Sequence, residues 1–332
     1  MQRRYLNELD EGGAVQGSFV LRSKELRAAR TGDAYLTIEL ADRTAALGAV
    51  YFRPPRVATE IPVGSIVEVR GVVSTYRGSR RVTIEVMEPA AQWDPADLMA
   101  SSPRSYEEMV QELRDLIRTV ETAPYRRLLR AFFADGRFRS AFEQCPAAQS
   151  MHHAYLGGLL EHSLSVAAHC VRAAEAHRTA NRDLLVTAAV LHDIGRIEEL
   201  SYHTGISHTQ AGRLIGHVVL GAQMVHARGL SAGIEPAGLE MLEHIILSHH
   251  SERDGESAKR PSTIEALILQ HVDNLDASVA GFEQALSGAT TVGEGWTDSD
   301  NVFGRPLYAP RSGDDHRDPT QRGAERRLQL TA

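Results

Sequence analysis

Residues 187–195, TAAVLHDIG, place a histidine and an aspartate side by side at the end of an apolar segment. The helical spacing of the apolar residues predicts a buried helix, and Gly195 predicts its end in the left-handed conformation. A carboxylate is badly placed there, because the helix dipole disfavours it and burial of an unpaired charge is costly. A divalent cation bound by His192 and Asp193 would remove both objections. Taken alone, such a pair more often marks a solvated helix end, so the other histidines decide the interpretation.

The composition is that of an ordinary globular protein. The chain has 332 residues, enough for two domains, and its net charge of −7 does not indicate nucleic-acid binding, although an average can hide a basic patch. Cys145 and Cys170 form no CxxC pair, so neither a disulfide framework nor a cysteine zinc site is indicated. We find no secretory signal and no apolar run near the ~20 residues that span a membrane. We therefore expect a cytoplasmic protein.

Residues 14–90 contain five β-rich runs, several of them with strict alternation of apolar and polar residues. Glycine, proline and aspartate turn signals separate the runs. Short strands in such a compact stretch predict a small closed barrel, and an OB-fold is the leading candidate. Gly17 and Gly71 lie inside long strands, where they would permit the sharp bends that closure requires.

The predicted barrel is locally basic, with eleven Lys and Arg against eight Asp and Glu, or about +3. One predicted hairpin combines an aromatic residue with three arginines: Tyr76, Arg77, Arg80 and Arg81. Further side chains could face the same side: Tyr35, Tyr51, Phe52 and Arg53. Interleaved aromatic rings and guanidinium groups suit single-stranded nucleic acid. Equally, the aromatic residues could fill the barrel core and the arginines could simply be solvated.

From residue 106 onward the periodicity is helical. A Pro- and Ser-rich connection over 91–105 separates it from the barrel, and we expect an all-α region without strands over 150–281. Its helices are predicted at about 155–177, 181–194, 212–228, 236–250 and 262–281. The fold class is therefore multi-domain β + α, an OB-type barrel followed by a helical bundle.

Five of these helices each carry a histidine or aspartate within an apolar run. The residues are His162, His192 with Asp193, His217, His249 with His250, and Asp273. A single histidine on an apolar face is usually a hydrogen-bonded core residue. Five helices presenting such groups inward would leave several costly unpaired charges unless a cation bound them. Helix bundles build metal sites in this way, and nitrogen and oxygen ligands suit Mn, Fe, Ni or Zn.

With these motifs in view, the sequence resembles the HD-domain metal-dependent phosphohydrolases. More narrowly, five segments resemble the YhaM-type 3′–5′ exoribonucleases: HHAYLGGLLEHSLSV (152–166), LHDIGRIEEL (191–200), GHVVLGAQ (216–223), ILSHH (246–250) and HVDNLDA (271–277). In that family an OB-fold precedes the HD domain. The implied division is an OB-fold nucleic-acid-binding domain, linker and connecting helices, an HD domain, and a partly disordered tail, over 1–92, 93–149, 150–285 and 286–332.

The resemblance implies hydrolysis of single-stranded RNA, or DNA, from the 3′ end to 5′-mononucleotides, with two divalent ions. Mn²⁺ is favoured, with Fe, Ni, Mg or Zn as alternatives. One ion would be held by His162, His192, Asp193 and Asp273. A second would be held by His217 and by His249 or His250, with Asp193 bridging. The implied catalytic residues are Asp193 and Arg196.

Residues expected to contact the substrate are His152, His153, Lys259 and Arg260, together with the basic hairpin of the barrel. Solvated surface charge explains Lys259 and Arg260 equally well, and a solvated helix start explains the two histidines. The family usually has lysine where this chain has Arg196, which puts proton transfer from that position in question.

Two other functions fit the same motifs. One is an HD phosphohydrolase acting on nucleotides or cyclic dinucleotides. The other is a non-catalytic nucleic-acid-binding protein with a structural metal site. A homo-oligomer is compatible with all three functions.

Overall fold

A computed structural model of the chain describes residues 4–28, 32–76, 78–150, 152–202, 205–250, 259–287 and 295–309. The predictions for Arg77 and for a disordered segment beyond residue 310 fall outside these ranges. A 3₁₀ turn, Leu6–Glu8, precedes the first strand.

The N-terminal region is the closed five-stranded barrel that the alternation predicts. Its strands are β1 (Ala14–Ala28), β2 (Ala34–Ala41), β3 (Ala46–Phe52), β4 (Ile66–Tyr76) and β5 (Ser79–Pro89). They close in the order β1-β2-β3-β5-β4, and every neighbouring pair is antiparallel except β3 and β5. A short helix, α1 (Arg56–Glu60), connects β3 to β4. Because the barrel is closed, no strand edge is left unpaired.

Gly71 is required by a close contact between β4 and β5. A Cβ atom built on Gly71 would lie 2.3 Å from the carbonyl oxygen of Thr83, and the register of the two strands shifts at this point. Gly17 has a φ of +151°, which residues with a side chain rarely adopt. Both glycines therefore serve the strand geometry that was predicted for them.

After the barrel, the described part of the chain is mainly helical as far as residue 287. Connecting helices are α2 (Pro95–Leu98), α3 (Tyr106–Thr119), α4 (Ala123–Ala134) and α5 (Gly136–Gln144). The bundle that follows contains α6 (Gly158–Ala176), α7 (Arg182–Leu191), α8 (Arg196–Glu199), α9 (Gln210–Leu214), α10 (His217–Ser231), α11 (Pro236–Leu247) and α12 (Ile264–Ser287). Helix α7 is buried along its whole length except at its first residue. The segment that opened the sequence analysis therefore lies at the centre of the bundle.

The prediction of a region without strands is wrong in one place. Between α8 and α10 the chain forms a two-residue ladder, β6 (Leu200–Ser201) with β7 (Ser207–His208). Two residues are too few to show a readable period, so no sequence pattern could have announced the ladder.

The chain divides into two compact units, residues 1–276 and 277–332. In the second unit, Trp296 and Tyr308 form an antiparallel bridge with ring centroids 5.3 Å apart. The predicted domain boundaries at residues 92, 149 and 285 stay predictions. Among the described helices, none combines the length and the apolar composition needed to cross a membrane.

Candidate metal centre

The helical bundle brings all the predicted ligands into one cluster. His162 lies on α6, His192 and Asp193 follow α7, His217 begins α10, His249 and His250 follow α11, and Asp273 lies on α12. All of them except the half-buried His250 are buried. Among the described residues, four overlapping groups have ligand atoms close enough to share one ion: His162 with His192 and Asp193; Asp193 with His217, His249 and His250; His192 with His249 and Asp273; and His162 with His153 and Asp276.

Four of the histidines are held from behind through Nδ1. Backbone carbonyl oxygens accept from His192 (Ala189, 2.8 Å) and from His249 (Ile246, 2.6 Å). Carboxylates accept from the other two, and the pairs are His217 with Glu199 (3.1 Å) and His162 with Asp276 (2.8 Å). A carbonyl or carboxylate oxygen can only accept, so Nδ1 carries the proton in each ring. In a neutral ring Nε2 is then left with a lone pair, the form that binds a metal ion.

These Nε2 atoms face one another at short range. The distance is 3.1 Å between His162 and His192, and 2.8 Å between His217 and His250. The Nε2 lone pairs of His162 and His192 repel at this distance unless a cation, a proton or a metal ion, lies between or beside them. Between His217 and His250 the contact is a hydrogen bond if Nε2 of His250 carries the proton. In addition, Nε2 of His249 is buried without a hydrogen-bond partner in the described part of the chain. Such orphaned groups are costly, and a bound cation would satisfy them.

Asp193 lies between two sets of histidines. Its Oδ1 is 3.2 Å from Nε2 of His217 and 3.5 Å from Nε2 of His249. Its Oδ2 faces the other set, 3.9 Å from His162 and 4.0 Å from His192. Oδ1 is also buried without a hydrogen-bond partner among the described residues. A carboxylate that presents one oxygen to each of two ligand groups is suited to bridge two cations.

The electrostatics of the cluster keep most of its ligands ready for a metal ion. Burial lowers the pKa of His192 to about 4 and that of His250 to about 2, so both rings are neutral at physiological pH. Burial by itself would raise the pKa of Asp193, but Arg196 and His217 outweigh it and hold that pKa well below its usual value. The carboxylate is therefore ionised, as a metal ligand must be.

His162 shows what a metal ion would replace. Burial by itself would lower its pKa, but hydrogen bonds to Asp273 and Asp276 raise it to about 10. Nε2 of His162 lies 3.1 Å from Oδ1 of Asp273. Without a metal ion, this ring holds a second proton against the carboxylate, and metal binding would release it.

Gly195 corrects one expectation. It is not in the left-handed conformation, since its φ and ψ are −64° and −17°. Its function is close packing, because a Cβ atom there would lie 1.9 Å from the carbonyl oxygen of His217 and 2.7 Å from the amide nitrogen of Gly221. The end of α7 can therefore approach the start of α10 closely enough to bring Asp193 to His217.

Comparison with known proteins agrees with this geometry. The HD-domain family model matches residues 159–278, which contain all the clustered ligands. A second family model, TraI_2, a helicase family, matches residues 107–197. The chain is 30% identical over 280 residues to the 3′–5′ exoribonuclease YhaM of Halalkalibacterium halodurans, covering 83% of this chain and 87% of that protein. It is also 30% identical to YhaM of Listeria innocua over 318 residues, covering 93% and 99%. The chain belongs to the YhaM family.

Several solved structures match a part of the chain. The second OB-fold domain of replication protein A from Methanococcus maripaludis matches 28% of this chain and 99% of its own, with 17% identity and a TM-score of 0.22. PriB from Ralstonia solanacearum matches 23% of this chain with a TM-score of 0.21.

Arg196 contacts two carboxylates. Its Nε lies 3.4 Å from Oδ2 of Asp193, and its Nη1 donates to Oε2 of Glu199 at 2.7 Å. The other oxygen of Glu199 accepts from both the backbone amide and Nδ1 of His217. Arg196 therefore supports two groups of the centre at once. Its predicted catalytic role stays a prediction.

Sequence reasoning missed two carboxylates of this YhaM-family centre, Asp276 and Glu199. Each holds Nδ1 of one ligand histidine. Asp276 lies one helical turn beyond Asp273, a spacing that could have indicated it. Glu199 reaches His217 only through the crossing of α8 and α10, which the sequence does not display.

The two histidines before α6 have different surroundings. Nδ1 of His153 lies 2.8 Å from the hydroxyl of Tyr155, and its Nε2 lies 3.1 Å from Oδ2 of Asp276, so neither nitrogen is available to phosphate. The ring of His152 is 6.2 Å from that of His162, centroid to centroid, at the edge of the cluster. The predicted contact of His152 with substrate stays a prediction, and His153 is engaged within the protein. Lys259 and Arg260 are exposed, and their predicted contact with substrate stays a prediction.

The barrel separates the aromatic residues that were predicted to share a side. Tyr51 is buried in the barrel core, which corrects the expectation for this residue. Strand alternation explains it, because neighbouring residues point to opposite faces, so Phe52 is exposed. Phe52 pairs across the ladder with Tyr35, and their ring centroids are 6.1 Å apart. Beside them, Arg53 pairs with Asp33 at 3.4 Å.

The basic hairpin forms a separate patch. The guanidinium of Arg81 lies 4.3 Å from the ring centroid of the exposed Tyr76, and Arg80 donates to the carbonyl oxygen of Leu9 at 2.8 Å. Register places Val82, the neighbour of Arg81, opposite Ala49, whereas Phe52 ends β3. The barrel of this YhaM-family member thus offers two aromatic positions along its strands.

Proposed function

We propose that the chain is a metal-dependent 3′–5′ exonuclease that degrades single-stranded RNA and releases 5′-mononucleotides. Membership of the YhaM family and a buried cluster of histidines and aspartates support this function together. The observation that carries it is the position of Asp193, whose two oxygens face two separate groups of histidine nitrogens. A single structural ion would not require a carboxylate placed between two ligand groups.

The residues present fit two divalent ions. One would be held by His162, His192, Asp193 and Asp273, and the other by Asp193, His217, His249 and His250. Ions bound there would activate a water molecule and stabilise the attacking and leaving oxygens of the phosphodiester. The ligand set of imidazoles and carboxylates without sulfur agrees with Mn²⁺, and we propose Mn²⁺ as the native ion.

The protein's own groups prepare the reaction in three ways. Buried partners hold the Nδ1 side of four imidazoles, so no reorientation is needed when substrate binds. Low pKa values keep Asp193 and Asp273 ionised. His152, whose pKa burial lowers to about 4, is neutral and can donate one N–H to a non-bridging phosphate oxygen.

The barrel would retain the strand. Phe52 and Tyr35 present a pair of partly exposed rings on which bases can stack, and Tyr76 with Arg81 forms a second position of the same kind. Stacking tolerates any base, which suits an exonuclease that must accept every sequence. Cytoplasmic localisation and a homo-oligomeric state stay predictions.

The test compares substrates side by side with Mn²⁺: 5′-labelled single-stranded RNA, the matching DNA, free nucleotides and a cyclic dinucleotide. We expect a ladder that shortens from the 3′ end of the RNA, together with release of 5′-mononucleotides. Hydrolysis of the nucleotides or of the cyclic dinucleotide alone would favour the small-substrate phosphohydrolase instead.

The site is tested with Asp193→Ala, which should lower hydrolysis by about a thousandfold or more while RNA binding is retained. Asp183→Asn is a matched control, since Asp183 is also a buried aspartate of the α7 segment but accepts hydrogen bonds from the amides of Glu121 and Thr122. Wild-type hydrolysis by Asp193→Ala would show that the centre is elsewhere. Strand binding without hydrolysis by the wild-type protein would favour the non-catalytic function.

A further inference from the structure

Asp276 lies on α12 one turn beyond the predicted ligand Asp273, and it is itself almost fully buried. Its Oδ2 accepts from Nδ1 of His162 at 2.8 Å and lies 3.1 Å from Nε2 of His153. Its Oδ1 accepts a short hydrogen bond from the hydroxyl of Ser165. Both oxygens of this carboxylate are therefore occupied in holding other side chains.

His153 is held in a backbone conformation that it would not choose alone. Its φ is +52°, in the left-handed region where residues other than glycine are uncommon. The ring is tied on both sides, to Asp276 through Nε2 and to the hydroxyl of Tyr155 through Nδ1. Tyr155 in turn donates to Oε2 of Glu161 at 2.8 Å, which brings the chain of contacts back to α6. Such a conformation persists only where surrounding contacts enforce it.

The enforced turn determines where His152 lies. His152 immediately precedes the left-handed residue, and its ring centroid is 6.2 Å from that of His162 and 6.2 Å from that of His153. The same turn is packed against α6, because a Cβ atom on Gly158 would lie 2.0 Å from the carbonyl oxygen of His153. A substitution at Asp276 would therefore alter both the orientation of the ligand His162 and the conformation of the turn that carries His152.

We propose that Asp276 is a positioning residue that links the orientation of the metal ligand His162 to the turn carrying His152. The inference rests on the proposed function, because it assumes that His162 binds a metal ion and that His152 faces the substrate. A carboxylate behind a ligand histidine fixes the tautomer and the ring orientation and makes the ring a stronger ligand. Here the same carboxylate also holds His153, so metal binding and substrate contact depend on one side chain.

The first measurement is Mn²⁺ affinity without substrate, by competition with a fluorescent chelator. An amide at position 276 removes the negative charge behind Nδ1 of His162, and its nitrogen cannot accept the hydrogen bond that Ser165 donates. Asp276→Asn should therefore weaken Mn²⁺ binding about 10- to 100-fold. The matched control is Asp183→Asn, which replaces a buried aspartate at the start of α7, about 14 Å along the helix from His192 at its end, and should leave Mn²⁺ affinity unchanged.

The second measurement separates the contact of Asp276 with His162 from its contact with His153. His153→Asn keeps a residue that tolerates the left-handed turn but lacks the ring, so KM for RNA should rise about fivefold while Mn²⁺ affinity changes less than about threefold. In the double variant with Asp276→Asn, the effects on KM should not add, because both changes break one contact.

Mn²⁺ affinity of Asp276→Asn equal to that of the wild-type protein would overturn the proposal. If that variant does not fold, as judged by circular dichroism, Asp276→Glu and His153→Asn still test it, and unchanged KM and affinity in both would refute the link. A wild-type protein that binds no Mn²⁺ would instead overturn the proposed function.

Discussion

The metal centre and the barrel surface present their functional side chains in opposite ways. In the centre, the imidazoles are buried and most are held at Nδ1 by a carbonyl or a carboxylate. On the barrel, the rings of Tyr35 and Phe52 are partly exposed and contact each other. The imidazoles of the centre are thus oriented by partners within the protein, whereas the two rings on the barrel lie at its surface.

This difference indicates that the buried centre should determine the rate of catalysis and that the barrel surface should contribute to the affinity for the strand. Buried groups in a preorganised cluster act as a unit, so loss of one member removes most of the function. Exposed stacking surfaces contribute in small and nearly separate amounts. Substitutions in the two regions should therefore differ in size and in the kinetic quantity that they change.

The largest effect is expected at a ligand histidine. His217→Ala removes one Nε2 from the group around Asp193, and hydrolysis of RNA should fall by about a thousandfold or more, because several kcal/mol of charge stabilisation are lost. Affinity for RNA, measured by fluorescence anisotropy with Ca²⁺ in place of Mn²⁺, should change less than about twofold. If RNA affinity fell as much as hydrolysis, the assignment of catalysis to the centre and of binding to the barrel would be wrong.

A moderate effect is expected on the barrel. The double variant Tyr35→Ala with Phe52→Ala should raise the Kd for a single-stranded 20-mer by about tenfold, since stacking contributes roughly 1–3 kcal/mol per base. Cleavage of a dinucleotide, which offers far fewer bases for stacking than the 20-mer, should proceed at the wild-type rate. Tyr51→Phe is the control, because Tyr51 lies in the barrel core and should not affect Kd. Slow dinucleotide cleavage by the double variant would mean that the barrel takes part in catalysis.

The smallest effect is expected at Arg196. Arg196→Lys keeps the positive charge beside Asp193 and Glu199, but replaces a planar fork with a point donor. We expect kcat to change within about fivefold, roughly 1 kcal/mol, with the pH–rate profile unmoved. A profile that gains a new limb near neutral pH would indicate that this position transfers a proton. Arg196 would then be a catalytic residue and not only a positioning residue.

The centre could be predicted from the sequence because its ionisable residues lie within otherwise apolar helices. His162, His217 and His249 interrupt apolar runs, and a cation explains that pattern on several helices at once. The family motifs then predicted which residues belong together. Asp276 and Glu199 were missed because an acidic residue on a helix has many ordinary explanations. Only the tertiary packing shows which histidine each carboxylate contacts.

The fold of the barrel could be predicted from the sequence, but the side chains exposed on its surface could be predicted only in part. Alternation located all five strands, yet it did not decide which phase faces outward, so Tyr51 and Phe52 were grouped together. The phase depends on register with β2, where Tyr51 lies opposite the buried Leu36. Arginines raise the same difficulty, since Arg80 bonds a backbone carbonyl that no local pattern reveals.

Gly195 has a consequence for how the centre can change. A single methyl group there would meet the main chain of α10 at 1.9 Å, and relief would require the two segments to separate by more than about 1 Å. Asp193 would then move away from His217, while every ligand stayed chemically intact. The distance between Asp193 and His217 is thus set by how closely the two backbones pack at Gly195.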